Sequence, residues 1–172
     1  DKIILLVGTK VQLKSLVKST AQECGLPYVI ERWLGGTLTN FDIILKRDEY
    51  FKDLEQKKSS GDLEKYTKKE QAKFNQELDE LEVKFTGIKN MTKLPDAVFV
   101  TDTIKDDLAV KEARAKTIKI IGVADTNCNP DLIDYPIPAN DDAVSSVKYI
   151  LEKIKEVILS AKLKTQSEKT TA

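Results

Sequence analysis

Residues 32–40 read RWLGGTLTN, and this stretch marks the corner between a short β-like run and a long, highly charged segment. The paired glycines, Gly35 and Gly36, allow a sharp turn or a close approach of the backbone to another molecule, because they have no Cβ atom. Trp33, the only tryptophan, and Arg32 can stack on a flat partner, and the arginine can pair with phosphate. Two interpretations stay open: a strand-to-helix corner with Trp33 packed in the core, or a binding surface.

On both sides of this corner, short apolar runs alternate with segments of helical spacing. Apolar or β-branched runs predict strands at 3–7, 28–30, 97–101, 119–124 and 135–138. Helical spacing follows the first, third and last of these runs, and Asn140 begins the last helix as a capping residue. The prolines in 135–138 suit an edge strand. The alternation predicts a flavodoxin-like, doubly wound α/β domain with a parallel sheet, formed by residues 1–39 and 88–161.

Residues 40–87 have a different composition, rich in Lys, Glu and Asp and without proline. A narrow apolar stripe runs through both halves of the segment, at Ile44, Phe51, Leu54, Phe74, Leu78, Leu81 and Phe85. The sequence SSGD at 59–62 predicts a turn between two helices, and TKKE at 67–70 is a capping box that begins the second. We therefore expect an inserted coiled-coil hairpin that projects from the domain, either as a solvated spacer or as a partner-binding arm.

Composition limits the function classes. Lys plus Arg equals Asp plus Glu at 28 each, so the net charge is zero and attraction of nucleic acid by bulk charge is not expected. The chain has no histidine, which removes histidine-dependent triads and histidine-ligated zinc, and we predict no cofactor. Cys24 and Cys128 are isolated and fit reduced packing thiols. The polar residues 162–172 lack periodicity and predict a disordered tail.

The first strand is followed by Gly8-Thr9-Lys10, at the expected start of a helix. Backbone N–H groups at such a place can hold a phosphate, but the glycine-rich nucleotide motifs are absent. The alternative is an ordinary helix start with Thr9 as its cap. If phosphate binds, Lys10, Lys14 and Lys18 would form a row better suited to an RNA backbone than to a nucleotide.

Asp102 and Asp125 each follow a predicted strand and should therefore lie at the carboxyl edge of the parallel sheet. That edge hosts the active sites of α/β enzymes. Two such carboxylates can hold Mg²⁺ through water, but Asp also serves as an ordinary turn and cap residue. No nucleophile and base accompany them. A phosphate- or nucleotide-binding α/β enzyme is therefore the alternative function, and a self-associating coiled-coil module is a third possibility.

Five blocks carry a resemblance to a known family: RWLGGTLTN, GIKNM, LPDAVFVTD, IIGVADTNCNPD and IPANDDA. In this order they resemble the bacterial small-subunit ribosomal protein S-two family, over nearly the whole chain except the tail. The resemblance implies the flavodoxin-like fold with its inserted hairpin and a non-enzymatic structural role in the cytoplasmic ribosome. It also implies contacts with ribosomal RNA and neighbouring ribosomal proteins, including the mRNA-binding protein S-one. We expect the chain to lack the family's N-terminal region.

The resemblance carries over to individual residues. Trp33, Gly35 and Gly36 match the family's structural signature. The candidate RNA-binding residues are the side chains with suitable donors, namely Lys10, Lys14, Lys18, Arg32, Thr37, Thr39 and Asn40. The sequence departs from the family at 115–118, where relatives tend to carry a turn with Asn or Gly, so we expect a local difference in this helix-to-strand connection.

Overall fold

The computed structural model describes residues 2 to 170, without the side chains of Glu64 and of residues 165–170. The helices and strands follow in the order β1 (Ile4–Val7), α1 (Lys14–Cys24), β2 (Tyr28–Val29), α2 (Phe41–Ser59), α3 (Lys68–Phe85), β3 (Ala97–Val100), α4 (Asp107–Ala115), β4 (Lys119–Ala124), β5 (Tyr135–Pro138) and α5 (Val144–Thr170). Short 3-10 helices lie at Asp62–Lys65 and Pro130–Leu132. Among the described residues, no helix is both long enough and apolar enough to cross a bilayer.

The sheet has five parallel strands in the order β2-β1-β3-β4-β5. Successive residues of a strand point to opposite faces, so each central strand contributes to two cores. In β1, Leu5 and Val7 pack with α4 and the α2–α3 segment, whereas Leu6 packs with α1 and α5. This three-layer arrangement with strand order 2-1-3-4-5 confirms the predicted flavodoxin-like fold.

The two edges of the sheet are closed in different ways. At the β2 edge, the N–H of Tyr28 donates to the carbonyl of Gly87 at 2.8 Å, so the chain leaving α3 covers this edge. At the β5 edge, the N–H of Ala139 donates to the carbonyl of Ala124 in β4. Because the direction of the backbone nitrogen alternates along a strand, the nitrogens of Pro136 and Pro138 lie on the outer side of β5. Proline has no N–H, so the outer side of β5 offers few donors to another strand.

The segment between β2 and β3 contains the two expected helices. The side chain of Thr67 accepts from the N–H of Glu70, and the Glu70 carboxylate accepts from the N–H of Thr67, which is the predicted capping box. The buried side chains Phe51, Leu78 and Phe85 belong to the same apolar cluster as β1 and β3. The hairpin stripe is therefore continuous with the core of the domain, and a coiled-coil geometry stays a prediction.

Two local features of the structure differ from the expectations. Helix α5 continues to Thr170 through most of the expected tail, since Lys, Gln, Glu and Leu are good helix formers and Lys162 donates to the carbonyl of Cys24 on α1. Residues 171–172 of that tail lie outside the described residues. Thr9 does not cap α1, which begins at Lys14 without a side-chain cap.

The connection at 115–118 is unusual in its backbone. Thr117 has φ +56° and is the only residue other than glycine with a positive φ in the described part of the chain. A β-branched residue is disfavoured there, because its Cβ crowds the carbonyl oxygen in the left-handed region. The departure from the family noted in the sequence therefore coincides with a strained turn that Asn or Gly would relieve.

Candidate functional site

The segment RWLGGTLTN forms a compact turn between β2 and α2. Gly36 has φ +91°, which a side chain disfavours, and its carbonyl accepts from the N–H of Asn40 at 2.8 Å. The carbonyl of Leu34 accepts both from the N–H of Thr37 at 3.1 Å and from its hydroxyl at 2.6 Å. These bonds wind the chain so that several backbone N–H groups point inward to one place.

That place is occupied by the carboxylate of Glu112 on α4. Its Oε1 accepts from the indole N–H of Trp33 at 3.1 Å and from the N–H of Gly36 at 2.8 Å. Its Oε2 accepts from the N–H of Leu38 at 2.9 Å, and from the N–H and hydroxyl of Thr39 at 3.1 and 3.2 Å. Five donors of the signature segment therefore converge on one carboxylate, which fixes the loop to α4.

Glu112 is a buried charge that makes no ion pair with any described side chain. Only 5% of the residue is exposed. Burial raises the pKa of this carboxyl, but the N–H groups of Leu38, Gly36 and Thr39 and the indole of Trp33 outweigh it and hold the pKa below its ordinary value. Charge-assisted hydrogen bonds are stronger than neutral ones, so the ionised form locks the loop.

Glu112 was not among the residues predicted from the sequence. The signal was nevertheless present, since Glu112 lies between Ala109 and Ala113 on the apolar face of α4, and both alanines are fully buried. A carboxylate on a buried helix face requires donors from elsewhere in the fold. Its partners lie 73 to 79 residues away in the sequence, so only the fold identifies them.

The structure separates the four candidate residues of the signature segment into two groups. The hydroxyls of Thr37 and Thr39 are engaged inside the loop, with Leu34 and Glu112 respectively. Arg32 and Asn40 are exposed at the two ends of the segment. The surface that this loop offers to a partner is therefore its ends rather than its inward-pointing donors.

Lys10, another candidate, is largely enclosed. Its side chain is 12% exposed and forms ion pairs with Asp102, Asp141 and Asp142, each at 2.8 Å. Burial lowers the pKa of Lys10, but the hydrogen bonds to these three carboxylates outweigh it and hold the pKa above its ordinary value. The ammonium group is thus committed to internal partners.

The expected row of three lysines is not formed, because Lys10 precedes α1. Lys14 pairs with Glu31, while Lys18 is exposed and lies one turn further along the helix. A cleft of about 260 Å³ between the β2 edge and the end of α3 brings Lys18 together with Arg32 and Lys84. Glu31 and Glu82 also line this cleft. It is a mixed but cation-bearing surface beside the signature loop.

The two candidate carboxylates at the carboxyl edge of the sheet have partners within the protein. The Oδ1 of Asp102 accepts from the N–H groups of Ile104 and Lys105, and its Oδ2 pairs with Lys10. Asp125 accepts from the N–H groups of Thr126 and Asp141. No cluster of three or more metal-ligating side chains occurs among the described residues. These carboxylates act as turn and cap residues, and a lysine ammonium balances their charge.

Thr9 also has an internal partner. Its N–H and hydroxyl donate to Asp106, at 3.2 and 2.8 Å. Burial raises the pKa of Asp106, and the bonds from Thr9 offset part of that effect. The Gly8-Thr9-Lys10 turn therefore holds protein carboxylates rather than an open anion site.

The fold and its loop define a class: a flavodoxin-like α/β domain with an inserted helical pair, whose strand-to-helix corner is locked by a buried carboxylate. The family model for ribosomal protein S2 matches residues 1–161. The chain is 46% identical to the small ribosomal subunit protein uS2 of Dictyoglomus thermophilum over 161 residues, which is 94% of this chain and 65% of that protein. It is 44% identical to the uS2 protein of Coprothermobacter proteolyticus over 161 residues, or 94% and 60% of the two chains.

The chain therefore belongs to the ribosomal protein S2 family. It spans slightly less than two thirds of the length of these two curated relatives.

Proposed function

We propose that the chain acts as a structural, non-catalytic constituent of the small ribosomal subunit in the cytoplasm, where it binds ribosomal RNA and neighbouring ribosomal proteins during translation. The observation that carries this proposal is the family match over residues 1–161, together with relatives that are small-subunit proteins by name. Asp102 and Asp125, the carboxylates on which the enzyme alternative depends, accept hydrogen bonds from backbone N–H groups, and Asp102 also pairs with Lys10, so their geometry does not favour that alternative.

The geometry supports binding through discrete surfaces. The Glu112-locked loop presents Arg32 at its exposed end, and Lys18 lies beside it across the cleft. Arginine and lysine side chains are among the groups that contact nucleic-acid phosphates, and such contacts position a protein on its nucleic acid. Five donors of the loop hold the Glu112 carboxylate, and Arg32 directly precedes Trp33, the first of these donors.

The net charge of zero is also compatible with binding to other proteins. A chain with equal numbers of acidic and basic residues does not depend on bulk attraction to RNA, and its acidic surfaces can meet other proteins. Membership of the family supports a role as a platform for neighbouring ribosomal proteins, and the mRNA-binding protein S-one is the partner that we propose in particular.

The RNA-binding part of this proposal is tested by filter binding of the chain to a transcript of small-subunit ribosomal RNA. The double variant Lys18→Gln, Arg32→Gln removes the two exposed cations, and we expect its affinity to fall about 5- to 30-fold at 100 mM salt, with a shallower salt dependence. Lys105→Gln, Lys116→Gln removes the same charge elsewhere and serves as the control. Equal losses in both variants, or no salt-dependent binding of the wild type, would refute the proposal.

A further inference from the structure

The start of α4 is fixed to the β1–α1 turn, which we define as residues 8–13. The N–H and hydroxyl of Thr9 donate to the carboxylate of Asp106, the residue that precedes α4, at 3.2 and 2.8 Å. Lys10 forms an ion pair at 2.8 Å with Asp102, whose other carboxylate oxygen accepts from two N–H groups of the segment that leads into α4. Three polar contacts therefore tie this turn to the beginning of a helix that lies about a hundred residues further along the chain.

The carboxylate of Asp106 is not used to cap its own helix. Asp106 occupies the capping position of α4, where an aspartate normally accepts a hydrogen bond from an N–H of the first helical turn. Within α4, every residue of which the structure describes, no N–H donates to this side chain. One of its oxygens accepts from the hydroxyl of Thr9 and the other from the N–H, and only 3% of the residue is exposed. The side chain therefore serves the distant turn rather than the helix that it begins.

The same helix holds the signature loop further along its length. Glu112 follows Asp106 by six residues, which is about 9 Å along a helix. Its carboxylate accepts from the five donors between Trp33 and Thr39. Leu108 also approaches this loop, since a Cβ atom at Gly35 would lie 3.9 Å from its Cδ2 atom. Helix α4 is thus a shared support for the β1–α1 turn and for the signature loop.

Helix α4 has the properties of an element that moves as a unit. It has nine residues and contains neither proline nor glycine, at which helices usually kink. Ala109 and Ala113 on its inner face are fully buried in the same apolar cluster as side chains of β1 and β3. Closely packed interiors shift between discrete arrangements rather than deform continuously. A displacement of Asp106 is therefore passed on to Glu112 instead of being absorbed by bending of the helix.

We propose that α4 couples the β1–α1 turn to the signature loop, and that Asp106 is a positioning residue for this loop. When Thr9 is released from Asp106, the start of α4 is freed, the Glu112 carboxylate is held less closely and the loop opens more often. Because Arg32 directly precedes the first donor of the loop, its place on the surface then depends on the state of the turn. The coupling is a property of the chain alone and does not require RNA binding.

The test is amide hydrogen exchange of the whole chain, measured by NMR at the N–H groups of Gly36, Leu38 and Thr39, which Glu112 holds. Thr9→Val removes the hydroxyl donor at nearly unchanged shape, and we expect these three amides to exchange about 3- to 10-fold faster, the effect of one lost hydrogen bond to a charged group on a local opening equilibrium. Thr9→Ser keeps the hydroxyl and should exchange as the wild type does. Asp106→Ala removes the acceptor itself and should accelerate the same amides at least as much as Thr9→Val does.

Val147→Ala is the control for a general loss of stability. Val147 is fully buried in the apolar cluster on the opposite face of the sheet, so its truncation should accelerate exchange in β3 through unfolding of the whole domain. We expect the three loop amides to change less than about 2-fold in this variant, because they exchange through a local opening.

Three results would overturn the proposal. Loop amides that exchange at the wild-type rate in Thr9→Val would show that the turn and the loop are independent. Equal acceleration of these amides in Val147→Ala would show that the loop opens only when the whole domain unfolds, which leaves no separate coupling through α4. Acceleration in Thr9→Ser as large as in Thr9→Val would show that the hydroxyl bond to Asp106 is not the link. None of these results affects the proposed RNA binding, which filter binding measures separately.

Discussion

Replacing Glu112 with glutamine should unfold the signature loop, although the two side chains have nearly the same volume. The carbonyl oxygen of the substituted side chain can still accept from Trp33 and Gly36, but its amide group donates and faces the N–H groups of Leu38 and Thr39, which are also donors. Each buried donor left without an acceptor costs about 1–3 kcal/mol, and the lost bonds were to a charged group. We expect Glu112→Gln to lower the free energy of unfolding by about 3–5 kcal/mol, a large part of the roughly 5–15 kcal/mol typical of a domain.

The assay is urea unfolding at pH 7, followed by tryptophan fluorescence. Trp33 is the only tryptophan and its indole donates to Glu112, so its emission reports on this loop directly. Asp107→Asn, on the same helix but exposed and ion-paired with Lys111, is the matched control and should cost less than about 1 kcal/mol. A Glu112→Gln variant whose stability and emission both match those of the control would refute the idea that this carboxylate organises the loop.

The same substitution has a defined pH dependence. The folded-state pKa of Glu112 lies below its ordinary value of 4.5, so the ionised carboxylate contributes stability that is fully present above pH 4.5. This contribution is lost as the pH falls through the lower folded-state pKa. The stability difference between the wild type and Glu112→Gln should therefore be constant from about pH 5 to 7 and shrink below about pH 4. A difference that persists unchanged at about pH 3 would contradict the assignment of the charge.

Two further predictions concern the backbone. A Cβ atom at Gly87 would lie 2.0 Å from the carbonyl oxygen of Tyr28, so Gly87→Ala should destabilise the β2 edge by about 3 kcal/mol. Gly61→Ala is the control: its Cβ would meet no neighbouring atom, and the positive φ alone should cost about 1 kcal/mol. If urea unfolding showed that Gly87→Ala lowers the free energy of unfolding less than Gly61→Ala does, the result would be inconsistent with this packing. Thr117→Asn should relieve the left-handed turn and raise Tm by about 3 °C, and a Tm that is unchanged or lower would argue against strain there.

Much of the fold follows from local patterns. The β4 and β5 strands at 119–124 and 135–138 agree with the structure residue by residue, because β-branched runs bounded by turn residues carry their own signal. The capping box at 67–70 was also predictable from the sequence, because its two partners, Thr67 and Glu70, lie within one turn of helix. The end of α5 was not predicted, because helix propensity and a contact with α1 extend a polar sequence that lacks periodicity.

The site depends on contacts that no local pattern shows. The sequence pointed to the segment at 32–40 and to the glycines that turn it, but its organising residue, Glu112, comes from α4. Lys10 looked like the first member of a basic row, yet the fold brings Asp102 and Asp141 around it from distant parts of the chain and commits its charge. Both cases involve a charge whose role is decided by which partners the tertiary structure supplies.

Sucrose-gradient sedimentation of a cell lysate that produces the chain tests the central claim most directly, with fractions probed for the chain at low and at moderately high salt. We expect the chain to migrate with the small ribosomal subunit and to remain there at the higher salt, because several surfaces and the shape of the folded RNA hold it in addition to charge. A chain that stays at the top of the gradient at every salt concentration would contradict the proposed place in the small subunit.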